Sequence, residues 1–228
     1  MKKKISIAID GPAGSGKSTV ARRVAGELGL LYVDTGAMYR AITLKALRNN
    51  ISFYDEEALG ELAEKTRLDF LLTADGSYHI IMDKEDVNED IRSMEVNEGV
   101  SFVATVKKVR EVLVKRQREF GARGGVVMEG RDIGLVVLPQ AEWKFFLTAS
   151  LPERARRRRD ELQGKGLAVS LPEVEANLRR RDEIDSKRKV NPLRPAADAV
   201  HLDTTALSIE EVVDEIKRIA GGEKTNVL

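Results

Sequence analysis

Residues 11–18 read Gly-Pro-Ala-Gly-Ser-Gly-Lys-Ser, a match to G-x-x-x-x-G-K-[ST]. The match lies between an apolar run at 5–9 and a helical spacing of Val20, Val24 and Leu28. That junction constrains the fold, because it sets a buried strand beneath a helix N-terminus whose backbone N–H groups converge on a phosphate. Its glycines let the loop close around the anion. Lys17 is placed to reach the β- and γ-phosphates of a nucleoside triphosphate, and Ser18 to ligate a nucleotide-bound Mg²⁺. With glycine near 7% of residues, such a match arises by chance in roughly one chain of this length per hundred, and the strand–helix context lowers that further.

Other features narrow what is done with the nucleotide. The chain has 228 residues, too few for a helicase or a transporter ATPase, and it carries no guanine-reading Asn-Lys-x-Asp. Apolar residues make up 42% and charged residues 33%, a globular composition. The absence of cysteine excludes disulfides and thiolate chemistry, and the two histidines, His79 and His201, are too far apart to suggest a metal cluster. No apolar stretch approaches the length of a membrane span and no leader is evident, so a soluble, cytoplasmic protein is expected. The net charge of +1 conceals an asymmetry. Residues 55–98 hold 14 acids against 4 bases, and residues 150–190 hold 12 bases against 8 acids. Near-neutrality overall argues against a nucleic-acid partner for the arginine run at 154–159.

Periodicity predicts strands at 5–9, 30–33, 126–129, 143–147 and 199–202, alternating with helices, and hence a parallel sheet covered on both faces. Between 52 and 97 the pattern changes to one acidic helix at about 56–66 and a hairpin of 68–72 and 78–82 turning at Asp75-Gly76. Residues 96–120 read as two helices with a break near 105–107. Ser-Leu-Pro-Glu at 150–153 and at 170–173 each fit a capping box, and Ser208 with Glu211 caps a last helix. The two basic helices after 150 join at Gly164-Lys165-Gly166, whose glycines allow movement, and the tail is expected to fray from Gly221.

Three further segments carry a resemblance: Asp34-Thr35-Gly36-Ala37-Met38-Tyr39-Arg40, Glu129-Gly130-Arg131-Asp132-Ile133-Gly134, and residues 179–188, Arg-Arg-Arg-Asp-Glu-Ile-Asp-Ser-Lys-Arg. Together with the loop they resemble the bacterial cytidylate kinase family over essentially the whole chain. The resemblance implies a P-loop NTPase-type α/β fold with a parallel sheet flanked by helices. It implies a core (about 1–50, 96–150 and 190–228), a monophosphate-binding insert (about 51–95) and a helical lid (about 151–189). It implies transfer of a phosphoryl group from ATP to CMP or dCMP with Mg²⁺, in pyrimidine nucleotide metabolism, by a monomer.

Residue by residue, the resemblance places ATP on Gly11, Pro12, Ala13, Gly14, Ser15, Gly16, Lys17, Ser18 and Thr19. The CMP phosphate falls to Thr35, Arg40, Arg131 and Arg188, cytosine to Ser101, Arg110 and Asp132, and the sugar to Arg181 and Asp185. Chemistry supports these assignments. Arginine forks bind a phosphate dianion bidentately. Cytosine presents an amino donor beside two acceptors, which a carboxylate with arginine and serine donors matches; uracil reverses the pattern. Asp132 could instead serve to hold Arg131, and Arg181 with Asp185 could be an ordinary i, i+4 ion pair.

No general base is evident or needed, because the attacking phosphate oxygen is already anionic. Lys17, Arg131, Arg188 and lid arginines, with Arg154, Arg157 and Arg158 as candidates, supply the positive field. Two positions depart from the family pattern: Glu129, where aspartate is common, and Leu135, where threonine is.

Overall fold

The computed structural model of the protein describes residues 5–73, 78–164 and 166–221. In chain order the elements are β1 (Ser6–Asp10), α1 (Lys17–Leu28), β2 (Leu31–Asp34), α2 (Thr35–Arg48), α3 (Glu56–Lys65), β3 (Leu68–Leu72), β4 (Tyr78–Met82) and β5 (Glu85–Asp86). There follow α4 (Met94–Val103), α5 (Lys107–Gly121), β6 (Val126–Gly130), β7 (Trp143–Thr148), α6 (Leu151–Gly164), α7 (Leu171–Lys187), β8 (Val200–Asp203) and α8 (Ile209–Ala220). The Asp75-Gly76 turn, Lys165 and the tail beyond Gly221 lie outside the described residues.

Five strands form a parallel sheet in the order β2-β6-β1-β7-β8. Every residue of β1 and of β6 is buried, which their unbroken apolar runs require of strands covered on both faces. Alternation then divides the side chains. Ile7, Ile9 and Val127 pack against Val20 and Val24 of α1 and Val212 and Ile216 of α8. Ala8, Val33 and Met128 pack on the other face with Val114 of α5 and with Ile133 and Val137. Each such aliphatic residue, fully buried, contributes on the order of 1.5–3 kcal/mol.

The insert is a three-stranded antiparallel sheet, β3-β4-β5, in which Leu68 pairs with Met82 and Leu72 with Tyr78. It shares its apolar residues with the body of the protein: Leu59, Leu68, Ile80 and Val87 join Met38 and Ile42 of α2 and Leu113 of α5 in one cluster. The insert therefore rides on α2, whose first two turns carry Thr35 and Arg40.

Local chemistry explains most element ends. Asp34, Asp55 and Ser93 cap α2, α3 and α4 through side-chain acceptors, and full capping boxes form at Ser170/Glu173 and Ser208/Glu211. The expected box at Ser150 is only half formed. Ser150 Oγ accepts from the Glu153 amide at 3.4 Å, but the Ser150 amide donates to Thr205 Oγ1. The Glu153 carboxylate is drawn away by Arg156 and Arg157, which hold its pKa down to about 2. The charge attraction outcompetes the cap. Three features were not anticipated: β5, a 3-10 turn at Asp90–Arg92, and a π-helical turn at Ile133–Val137.

Candidate active site

The phosphate loop leaves β1 at Gly11 and enters α1 at Lys17. Gly11, Gly14 and Gly16 all have positive φ (149°, 78° and 85°). A Cβ on Gly11 would lie 2.0 Å from the carbonyl oxygen of Leu147 in β7, a backbone atom that cannot step aside. Gly11→Ala is therefore expected to destabilise the fold by more than about 3 kcal/mol, the range of severe point substitutions. Urea unfolding checks this, and an unchanged midpoint would refute it.

Within the loop Lys17 is only 4% exposed, and its Nζ donates to Pro12 O at 2.6 Å and to Ser15 Oγ at 3.3 Å. Burial, followed by the charge of Arg131, lowers its pKa to about 7, while Glu129 and Asp10 pull the other way. A phosphate oxygen beside Nζ restores the charged form. Ser18 Oγ donates to Glu129 Oε1 at 2.6 Å, and burial together with Asp34 raises the pKa of that carboxyl. An exposed hydroxyl against a buried carboxyl at the mouth of the loop supplies hard oxygen donors suited to Mg²⁺. Among the described residues no cluster of three or more His, Cys, Asp or Glu could hold a metal.

A single cleft of about 740 Å³ runs from the loop toward α2, α4 and α7. Eleven cationic and six anionic side chains line it, an excess matched to polyanionic ligands. The loop contributes Ala13, Gly14, Gly16, Lys17, Ser18 and Thr19, while Gly11, Pro12 and Ser15 do not line the cleft. At the far end lie Thr35, Arg40, Ser101, Arg110, Arg131, Asp132, Arg181, Asp185 and Arg188, every acceptor-site residue selected from the sequence.

The acceptor end is an ion-pair network. Arg40 Nη2 donates to Asp34 Oδ2 at 2.6 Å, and the same carboxylate caps α2 through the Ala37 amide. Although burial opposes it, Arg40 holds the Asp34 carboxyl below its usual range. Arg131 Nε donates to Asp185 Oδ2 at 2.8 Å. Arg110 Nη2 donates to Asp132 Oδ2 at 2.5 Å, and Arg188 Nη2 to Asp132 Oδ1 at 3.1 Å. Arg110 is 1% exposed, with its other branch on Ala104 O at the α4–α5 break and its guanidinium 5.5 Å from the Tyr39 ring centre. Five guanidiniums (Arg40, Arg110, Arg131, Arg181 and Arg188) thus face three carboxylates, an excess of two positive charges. Burial and then Arg131 depress the pKa of Arg181 to about 10, so an arriving anion finds a cation short of counter-charge.

Neither of the two purely structural pairings that the sequence left open as alternatives forms. Asp132 binds Arg110 and Arg188 rather than its neighbour Arg131, whose guanidinium goes to Asp185. The carboxylate of Asp185 goes to Arg131 rather than to Arg181, its neighbour on the helix.

The arginine run also separates by role. Arg154 is 7% exposed and staples α6 to the loop through Ala13 O and to α7 through Asp182. Arg157 is committed to Glu153 and Thr204, and its Nη1 would lie 3.8 Å from a Cβ on Gly16. Arg156, Arg157 and Arg158 all line the cleft, and Arg158, which donates to Glu161, bears electrostatically on Arg181. Arg156 and Arg159 bond to acids of their own helix. Tyr39 and Arg92 also line the cleft and had not been singled out. Tyr39 directly precedes Arg40 in a quoted motif, whereas Arg92 carries no signal beyond a charge after a buried isoleucine.

A phosphate loop and a cationic acceptor pocket across one cleft, on a parallel sheet at the carboxyl ends of its strands, define a P-loop kinase. The model of the cytidylate kinase family matches residues 7–221, and the chain belongs to that family. Cytidylate kinase of Bacillus pumilus is 52% identical over 216 residues, covering 95% of this chain and 96% of that protein. Cytidylate kinase of Desulforamulus reducens is 55% identical over 210 residues, covering 92% and 94%. A crystal structure of an uncharacterized protein from Eubacterium ventriosum covers 97% of this chain and 100% of its own, with a TM-score of 0.53 at 14% identity, a likeness of fold. No helix of the described residues is long and apolar enough to cross a membrane.

Proposed function

We propose that the chain transfers the γ-phosphoryl group of ATP to CMP and dCMP, giving ADP and the cytidine diphosphates. The observation that carries this reading is the excess of two guanidinium charges opposite the phosphate loop, the charge of one phosphate monoester. The loop holds the triphosphate through its amides and Lys17. Arg40, Arg131 and Arg188, with Thr35, hold the acceptor phosphate. Ser101, Arg110 and Asp132 read the base, and Arg181 with Asp185 holds the sugar. Asp132 uses one lone pair on each oxygen for its arginines, which leaves each oxygen a second for the cytosine amino group.

The residues align two anions and neutralise the charge between them, with no proton to abstract. Lys17 on the loop side and Arg131 on the acceptor side flank the transferring group, and Arg158 is the lid arginine placed to join them. Arg157 and Arg154 keep the lid seated on the loop. Ser18, with Glu129 behind it, would hold a nucleotide-bound Mg²⁺, which would supply Lewis-acid withdrawal of phosphate charge. Residues 51–95 act as the monophosphate lobe and 151–189 as the lid over a core of the remaining chain, and closure excludes water as a competing acceptor. The chain works in the cytoplasm as a monomer.

A coupled assay for ADP formation with CMP, dCMP, UMP and AMP at equal concentration tests this. CMP and dCMP are expected to react fastest; a preference for UMP would overturn the base reading.

A further inference from the structure

Asp10 is the last residue of β1, 4% exposed, and the transfer chemistry gives it no part. Its Oδ1 accepts from the Ile133 amide and its Oδ2 from the Gly134 amide, both at 2.8 Å. These two amides open the π-helical turn at Ile133–Val137, an uncommon backbone form often found at functional sites. Immediately before them stand Asp132 and Arg131; immediately after Asp10 stands Gly11, where the phosphate loop begins. Parallel pairing between β1 and β6 ends with Asp10 opposite Gly130, so no ladder bond reaches Arg131 or Asp132. One carboxylate thus spans the gap between the donor loop and the two residues that hold the acceptor.

We propose that Asp10 is a positioning residue that sets Arg131 and Asp132 against the phosphate loop, and through them determines how well the acceptor nucleotide is held. This rests on the assignment of Arg131 and Asp132 to the acceptor. The charged groups facing Asp10 are Asp132 and Lys17, and Lys144 of β7 lays its alkyl chain along Gly134 while its ammonium bonds Asp198. Burial raises the Asp10 pKa to about 6 against the pull of the two amides.

Asp10→Asn keeps the shape but sets an NH₂ against one of the two backbone donors, so one bond is lost. The KM for CMP is expected to rise about tenfold, the effect of one hydrogen bond to a charged group, while the KM for ATP changes less than twofold. Below pH 6 the wild-type carboxyl takes up a proton and loses the same bond. The wild-type advantage in kcat/KM for CMP should therefore shrink as pH falls from 7.5 to 5, and the titration of CMP itself cancels in that ratio. An unchanged KM for CMP, or a rise shared equally by ATP and CMP, would overturn the positioning role. A wild-type enzyme that prefers another acceptor would instead overturn the assignment beneath it. If the asparagine protein does not fold, the unaltered protein decides the matter. The amide proton resonances of Ile133 and Gly134 should titrate near pH 6 in step with the affinity for cytidine, which has no phosphate to titrate. Midpoints that disagree would overturn the proposal.

Discussion

Lys17→Met should lower kcat by roughly 10²-fold or more, because it removes a fixed positive charge from beside the transferring phosphoryl group. The same substitution should leave the protein as heat-stable as before, or more so. The two effects have one origin. In the folded chain the Lys17 ammonium is buried near Arg131, and its pKa falls from the ordinary lysine value of 10.5 to about 7. A folded-state pKa below the unfolded value means that the unfolded chain binds the proton more tightly. Stability therefore rises as pH climbs between those two values, and at neutral pH the lysine is a cost to the fold. Methionine keeps the buried length and removes that cost. Steady-state rates with saturating CMP, read beside a thermal melt, check both halves. Activity within threefold of the wild type would mean the loop is not catalytic in this way. A large drop in melting temperature would mean the lysine was structural.

That a residue can be unfavourable to the fold yet placed in the site explains what the sequence made legible. The loop was readable because its glycines answer a local demand: three positive φ angles and, at Gly11, a carbonyl with no room for a Cβ. The strands and helices were readable because the parallel sheet buries both faces and its helices bury one. The ion pairing was not readable, because it depends on tertiary distances. Arg181 and Asp185 are helical neighbours, yet Arg131 takes that carboxylate from 54 residues away. Similarly, the box at Ser150 satisfied every local rule and was overridden by two arginines on the same helix. Which arginine of 154–159 faces the acceptor was also closed to sequence, since five in six positions circle the helix; only the packing of α6 on the loop separates Arg154, Arg157 and Arg158. The π-helical turn has no periodic signature in five residues. Its first two amides bond the carboxylate of Asp10 at the end of β1, a contact across more than 120 positions.

Asp132→Asn should produce the largest change in selectivity. Two consequences are expected, and their separation tests the role of the residue. The first concerns the fold. Asp132 is the counter-charge of two buried guanidiniums, Arg110 at 1% and Arg188 at 7% exposure. Neutralising it leaves Arg110 without a carboxylate and Arg188 with only Asp185, 3.9 Å away, and breaking a buried pair from one side costs about 3–5 kcal/mol. Bound CMP should recover part of this, because the phosphate and base bring acceptors to the same arginines. The second consequence concerns the base. An amide in place of the carboxylate weakens the bond to the cytosine amino group and offers an N–H that the uracil carbonyl can accept. The ratio of kcat/KM for CMP over UMP should then fall by about tenfold to several hundredfold, matching roughly 1.5–3 kcal/mol for a hydrogen bond to a charged group. The KM for ATP should scarcely move, since the phosphate loop is untouched. Urea unfolding with and without CMP, beside rates for the two acceptors, separates these effects. If stability falls and both rates drop equally with the ratio unchanged, Asp132 serves only to hold Arg110 and Arg188, and the base must be read by Ser101 and Arg110 without it.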